Sequence, residues 1–365
     1  MNKVSLKAKL KEYMSVIRLS GYESRMAKLF SADMKQYTEK VAIDRIGNVI
    51  ATFEGTDPSA PALMVFAHMD VIGFIITAID ERGFLKVERM GGVPEKLVQA
   101  IAVNVGTEQG SYIPGVIGTK AYHVMSGADK DKADPLSSLW IDIGANSREE
   151  VLALGVEVGC PVTYGNNFFE LQGDRVAGTY MDDASGLVSL LHVASIISQV
   201  PHAATVHLVG TVWEEFNARG AMMAQRTVKA DMAICLLGPG AGDTPDQKGY
   251  NNVVLGGGPG VTLFNFHGKG TLNGCVAHKG MFDLIKTCAQ EKGIHIQRSA
   301  ARGALSDTAY IQLEDMGIPC LDMGTPDRYS HSQMEMLDLS DLEQTGLLVA
   351  EFISRLDSQF NLSRF

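Results

Sequence analysis

Two adjacent acidic residues, Glu214 and Glu215, follow an apolar run at 204–213 that is typical of a buried strand. Two like charges side by side are unfavourable unless a cation or a shared proton compensates them. In an open α/β sheet such strand ends lie in the crevice where ligands bind, so one carboxylate can bind a metal while the other transfers a proton. Taken alone, the pair is also compatible with two solvent-exposed glutamates at the start of a loop.

Histidines elsewhere in the chain supply partners for such a pair. His68 and Asp70 follow an apolar run at 61–67, and strand alternation predicts that they share a face. Asp70 can then orient the imidazole of His68 while the other ring nitrogen binds a metal. His331 lies shortly before the last predicted helix. Each histidine taken alone is weak evidence, because a lone surface histidine is the commoner case.

A second acidic pair, Asp182 and Asp183, follows a strand-like segment at 175–181 and precedes a predicted helix at 187–198. Carboxylates in this position would cap the helix and would also lie at the edge of the sheet. An ordinary acidic N-cap and a functional site are both compatible with this pattern.

Taken together and in order, these residues resemble the M42 metallo-aminopeptidases. The resemblance covers nearly the whole chain and extends to landmarks that carry no catalytic group, such as 113–118 and 141–144. The strings that carry it are His68–Phe74, Asp182-Asp183, Glu214-Glu215 followed by Arg219–Ala221, Ser306-Asp307, and Arg328–Ser332 with Glu335.

The resemblance implies a pair of divalent ions, zinc or cobalt, at the strand ends. His68 would bind the first ion, Asp182 would bridge both, and Glu215 and His331 would complete the second. Glu214 would be the general base that takes a proton from the metal-bound water. Imidazole and carboxylate are suitable ligands, and a bound metal lowers the pKa of water to about 7.

Two further acids have supporting roles in this interpretation. Asp70 would orient His68, and Asp183 would support the bridging aspartate without binding a metal. Asp307 is expected to cap the helix that follows it.

The chain departs from the family pattern at Leu237. The family has a further metal-binding aspartate at the end of the strand 231–237, and counting back from the matching Asp243 puts Leu237 at that position. Ala184 also replaces the arginine that usually follows the acidic pair. Leucine cannot bind a cation, so the outcomes left open are a weakened or empty first site, rescue by water, Cys235 or a displaced Asp243, or loss of peptidase activity.

Composition favours an ordinary soluble enzyme. The 365 residues are 45% apolar, which is enough for two domains, and the net charge of −10 argues against nucleic-acid binding. Five cysteines without a Cys-x-x-Cys spacing favour a reducing, cytoplasmic setting. No secretory signal is expected, and no apolar stretch reaches the roughly 18 residues of a membrane span.

The order of predicted elements indicates an α/β fold: a mixed sheet covered by helices on both faces, with an inserted small β-barrel domain. Strands and helices alternate in 1–70 and 165–365, the expected catalytic domain, whereas 71–164 contains short strands separated by glycine and proline. The resemblance implies that the inserted domain is PDZ-like and serves oligomerisation, in a dimer-based assembly such as a dodecamer.

The predicted function is a metal-dependent aminopeptidase that hydrolyses N-terminal residues from short peptides. Two alternatives remain: a catalytically weak or inactive relative that acts as a binding or regulatory protein, and a single-metal amide hydrolase. Leu237 and Ala184 favour the first alternative, and the metal content would distinguish them.

Overall fold

The computed structural model describes residues 1–127, 130–247, 251–268 and 274–364, with the side chains of 301 and 302 excepted. Its helices are α1 (Lys3–Ser15), α2 (Ser24–Met34), α3 (Arg148–Ala153), α4 (Met181–Ile197), α5 (Gly220–Val228), α6 (Lys279–Lys292), α7 (Thr308–Ile311) and α8 (Leu339–Arg355). None of the helices in these ranges is both long enough and apolar enough to cross a membrane.

The strands are β1 (Val41–Ile43), β2 (Val49–Phe53), β3 (Leu63–His68), β4 (Gly73–Ile79), β5 (Leu85–Met90), β6 (Ala102–Gly106), β7 (Tyr112–Ile117), β8 (Ile141–Asp142), β9 (Pro161–Tyr164), β10 (Phe168–Glu170), β11 (Arg175–Gly178), β12 (Val206–Thr211), β13 (Met232–Cys235), β14 (Gly260–Phe266), β15 (Gly274–Val276), β16 (Gln297–Arg302), β17 (Cys320–Gly324), β18 (Asp327–Arg328) and β19 (Glu335–Asp338).

A nine-stranded mixed sheet forms the centre, in the order β1-β2-β12-β3-β13-β17-β14-β15, with β16 paired to β14. The four strands β12, β3, β13 and β17 are parallel to their neighbours within this group, whereas β2 and β14 pair with it in the antiparallel sense. Because parallel strands end at one edge of the sheet, residues that follow β12, β3 and β13 meet there.

Helices cover both faces of this sheet, and β3 shows why. All six of its residues are buried. Leu63, Val65 and Ala67 pack in the larger core cluster with α1, α2, α4, α6 and α8, whereas Met64 and Phe66 pack in a smaller cluster with α5 and α7. A strand buried on both sides reads as a continuous apolar run, as the sequence does here. The predicted α/β fold is confirmed.

The segment between β3 and β10 forms a closed barrel with the strand order β4-β5-β8-β7-β6-β9. Its interior is a separate apolar cluster that includes Phe74, Ile76, Val105, Ile141 and Val162. The connection from β5 to β6 returns from the barrel to the edge of the central sheet, where it contacts Glu215 and His331.

A small antiparallel sheet, β10-β11-β19-β18, brings two distant parts of the chain together. Gly178 at the end of β11 pairs with Glu335 at the start of β19. Asp182 follows β11, and His331 lies in the turn between β18 and β19, so this pairing places both residues at the same point.

Residues 41–53 form a hairpin of β1 and β2. Asp44 closes its turn, because its Oδ1 accepts hydrogen bonds from the amides of Ile46, Gly47 and Asn48. The first helix begins at Lys3, and Asn2 caps it.

Candidate active site

The predicted site residues come together where β12, β3 and β13 end. His68 is the last residue of β3, Glu214 and Glu215 follow β12, and Leu237 follows β13. Together with Asp182 they line a cleft of about 680 Å³.

Three side chains form a group that could hold a metal ion. Ligand atoms of Asp182, Glu215 and His331 all lie within 4.8 Å of one another. Nε2 of His331 is 3.4 Å from Oδ2 of Asp182 and 3.6 Å from Oε1 of Glu215. Nε2 of His68 approaches the other oxygen of Asp182, Oδ1, at 2.9 Å. The carboxylate of Asp182 therefore faces one histidine with each oxygen, which is the arrangement of a bridging ligand.

Main-chain carbonyls orient both imidazoles. Nδ1 of His68 donates to the carbonyl of Asp70 at 3.1 Å, and Nδ1 of His331 donates to the carbonyl of Gly92 at 2.9 Å. In each ring Nε2 is then left to face Asp182 and to bind a cation.

The carboxylate of Asp70 lies beside His68, as the sequence predicts, and has further partners that the sequence does not predict. Oδ1 of Asp70 is 3.6 Å from Nδ1 of His68. Oδ1 accepts a hydrogen bond from the amide of Glu214 and Oδ2 accepts one from the amide of Glu215, both at 3.0 Å. Ser20 donates a third, at 2.7 Å. Asp70 thus orients His68 through its main chain and holds the two glutamates with its side chain. Strand alternation does not predict this contact, because β12 is distant in sequence.

Glu335 is a positioning residue to which the sequence interpretation gave no role. Its buried carboxylate accepts the amide of His331 at 2.8 Å and the amide of Asp182 at 3.0 Å. The side chain therefore fixes the main chain at two of the three residues of the metal group. The available signal was an acid between Met334 and Met336, because an acid among apolar residues needs buried donors.

Arg18 is a second residue that was missed. Its fully buried guanidinium donates to the carbonyls of Met69 at 2.6 Å, Asp70 at 3.2 Å and Tyr180 at 3.0 Å. It ties the end of β3 to the residues before Asp182. A single arginine after a helix gives no sequence signal for such a role.

The side chain of Asp183 caps a helix, whereas that of Asp307 does not. Asp183 accepts the amide of Gly186 at 2.8 Å, as a helix cap does, and the amide of His68 at 3.3 Å. Asp307 precedes α7, but its side chain makes no capping hydrogen bond, so the predicted cap is wrong. Its Oδ2 instead lies 3.5 Å from Oγ1 of Thr211, at the end of β12.

Position 237 faces the site, because Leu237 lines the cleft with His68 and Asp182. Neither suggested replacement ligand is favourably placed. Cys235 packs in the smaller core cluster, and burial raises the pKa of its thiol well above the usual value. Asp243 forms a two-pronged ion pair with Arg328 at 2.7 and 2.5 Å.

The charges in the site fit a divalent cation. Burial raises the pKa of Glu214 well above its usual value and that of Glu215 to about 7. Burial opposes protonation of His331, but Glu215 and Asp182 together raise its pKa to about 11. A metal ion at this point would supply positive charge beside the buried carboxylates.

The barrel contributes directly to the site through two glycines after β5. A Cβ atom on Gly92 would lie 2.7 Å from Nδ1 of His331, and one on Gly91 would lie 3.2 Å from Oε2 of Glu215. Only residues without a side chain fit at these contacts. The sequence pattern of glycines was interpreted as barrel turns and did not indicate this approach.

Comparisons with known proteins identify the family of the chain. The family model of the M42 glutamyl aminopeptidases matches residues 47–348. The chain belongs to the M42 family. This membership makes it a metal-dependent aminopeptidase, a hydrolase of peptide bonds.

Individual relatives align along nearly the whole chain. SgcX of Escherichia coli (strain K12) is 38% identical over 324 residues, covering 89% of this chain and 87% of SgcX. The structure of aminopeptidase APDkam598 from Desulfurococcus kamchatkensis has a TM-score of 0.91 at 30% identity, covering 98% and 97% of the two chains. The TET1 peptidase of Pyrococcus horikoshii, which can assemble into a tetrahedron or a large octahedral shell, has a TM-score of 0.84 at 27% identity, covering 96% and 100%.

Proposed function

We propose that this M42 enzyme removes N-terminal residues from short peptides with a metal ion held by Asp182, Glu215 and His331, and with Glu214 as general base. The observation that carries the proposal is the convergence of these three ligands within 4.8 Å, with His68 on the opposite oxygen of Asp182. Three protein ligands with an open position are typical of a catalytic zinc site.

A bound zinc or cobalt ion would lower the pKa of a water molecule to about 7 and polarise the scissile carbonyl. Glu214 would take a proton from the water and transfer it to the leaving amine. Three facts support this role: Glu214 lines the cleft, it is outside the three-ligand group, and Asp70 fixes its amide. Asp70 and Glu335 would keep the catalytic and ligating side chains aligned.

A second ion, which the family resemblance implies, would have only His68 and Asp182 as protein ligands here. Leu237 occupies the place of a third ligand and offers no donor atom. We therefore propose that this first site is weak or empty and that the His331 side carries the bound metal.

The same substitution favours one competing function, a catalytically weak relative that binds peptides without efficient hydrolysis. A single-metal amide hydrolase is a further alternative that uses the same ligands. Both retain the cleft and the three-ligand group, so they differ from the main proposal in turnover and in metal content.

The deciding experiment measures metal content by elemental analysis after mild purification, together with hydrolysis of a panel of amino-acid amides. We expect about one equivalent per chain and measurable hydrolysis. About two equivalents would mean that Leu237 is bypassed. A metal-free, inactive protein would favour the competing function, in which the protein binds peptides without efficient hydrolysis.

We further propose that the chain forms a dimer-based homo-oligomer, such as a dodecamer, in which 71–164 acts as the oligomerisation domain beside a catalytic domain of 1–70 and 165–365. The likeness to the TET1 peptidase supports this, as do the exposed side chains of Tyr122, Val124 and Trp140 on the barrel segment. Light scattering would test it, and a monomer at micromolar concentration would contradict it.

A cytoplasmic location is proposed because all five cysteines are free and buried.

A further inference from the structure

The cleft has opposite charges at two places. Glu214, Glu215 and Asp182 gather at the strand ends, whereas Arg89 approaches from the barrel. Of the side chains that the structure describes, Arg89 is the one lysine or arginine lining this cleft. Its guanidinium stays charged at any physiological pH.

Arg89 lies close to the reacting groups because of its place on β5. Gly91, two residues later, contacts Glu215, and Gly92 contacts His331. Two residues of extended chain span at most about 7 Å, so the backbone of Arg89 lies near the metal group. Arg89 also lines the cleft.

The guanidinium forms a long ion pair with Glu95. Oε1 of Glu95 is 3.9 Å from Nη1, which is longer than a hydrogen bond, and the two side chains are 43% and 53% exposed. Such an exposed pair contributes little, so a carboxylate of a molecule in the cleft can compete with Glu95 for the guanidinium.

We propose that Arg89 binds the C-terminal carboxylate of the substrate, so that the enzyme prefers peptides of about two to four residues with a free carboxyl end. This inference rests on the proposed function, because the amino end of the peptide must lie at the acidic groups. A short peptide then aligns its ammonium and carboxylate with the two charged places of the cleft. The planar guanidinium fork matches a carboxylate, which adds orientation to attraction.

The test compares Leu-Gly-Gly with its C-terminal amide, using the holoenzyme. Wild-type kcat/KM should be higher for the free acid, and Arg89→Gln should lower it about tenfold for the acid while leaving the amide unchanged. Arg82→Gln is the matched control, because Arg82 lies on the same barrel, is 79% exposed and pairs with Asp80. It should retain the preference for the acid.

Two results would overturn the proposal. One is an equal effect of Arg89→Gln on the acid and the amide. The other is a loss of activity in Arg89→Gln on glutamyl p-nitroanilide but not on leucyl p-nitroanilide. That result would mean that Arg89 binds the side chain of the first residue of the substrate.

Failure of the proposed function is separable from failure of this inference. If the wild type hydrolyses no peptide, calorimetric binding of Leu-Gly-Gly and its amide to the wild type and to Arg89→Gln still decides it. Tighter binding of the acid that depends on Arg89 would support the inference, and equal binding would overturn it.

Discussion

The two sides of Asp182 differ in completeness although a histidine faces each of them. On the Oδ2 side, His331 is joined by Glu215, and both contact the glycines of the barrel. On the Oδ1 side, His68 is equally well oriented, but the neighbouring strand end offers Leu237. We propose that Asp182 keeps the arrangement of a bridging carboxylate although only the Oδ2 side binds a metal well.

The difference has a structural origin. We call the Oδ2 side, with His331 and Glu215, the complete side. Its ligands come from three places: the end of β12, the residues after β11, and the turn between β18 and β19. In our proposal the incomplete side, that of Oδ1 and His68, lacks a ligand at the end of β13, where Leu237 offers no donor atom. Loss of a ligand on one side leaves the hydrogen bonds of the other side in place.

Glu214→Gln should have the largest effect on turnover, because it removes the proposed base and no ligand. We expect kcat to fall by about 10² to 10⁴ while metal content is unchanged. Rate measurements and elemental analysis on the same preparation test both points. Glu215→Gln is the matched control, since it should lose metal as well. A Glu214→Gln variant that keeps more than about a tenth of the wild-type rate would contradict the assignment.

His331→Ala and His68→Ala test the two sides directly. His331→Ala should release the bound metal on dialysis, because it removes one of three ligands, whereas His68→Ala should retain most of it. Metal content per chain before and after dialysis is the measurement. Equal loss in both variants would show that the two sides hold metal alike and that the comparison is wrong.

Gly92→Ala should weaken metal binding on the complete side, because Gly92 of the barrel segment contacts His331. The new Cβ would meet the ring of His331 at 2.7 Å and displace it. We expect metal affinity to fall about 10- to 100-fold, as for other losses of support around a ligand. Gly127→Ala is the control, because a Cβ there has open space. Unchanged affinity in Gly92→Ala, measured by competition with a chelator, would mean that the ring is free to move.

Leu237→Asp should have the smallest effect, and it should raise metal content and activity instead of lowering them. A carboxylate at this position would give the incomplete side a third protein ligand and raise the metal content towards two equivalents. The gain in activity should be a few-fold at most, because a cavity lined for leucine lacks donors to hold the carboxylate. Leu237→Asn, without the charge, is the control. A folded Leu237→Asp protein with unchanged metal content would refute this account of the departure.

Sequence patterns predicted the fold because they depend on local alternation. The buried run before His68 and the run before Glu214 are strands whose ends meet, as the α/β rule requires. The resemblance to the M42 family, and not strand alternation, assigned His68, Asp182, Glu215 and His331 to the site and identified Leu237 as a departure.

Contacts between distant segments were not predictable in this way. Arg18 and Glu335 act on main-chain groups, and no residue type at the partner position reveals a main-chain hydrogen bond. Gly92 acts by the absence of a side chain. Asp307 was misassigned because a local rule for helix caps competes with a long-range contact to Thr211.

The side chains of β3 pack alternately in two separate core clusters, so the length of this segment is more constrained than its composition. One residue inserted or deleted before His68 would exchange the two rows of side chains, turning Leu63, Val65 and Ala67 towards the cluster that now holds Met64 and Phe66. The imidazole would then point away from Asp182. Apolar residues of β3 can be exchanged for others of similar volume, whereas the number of residues between the start of the strand and His68 cannot change without loss of the site.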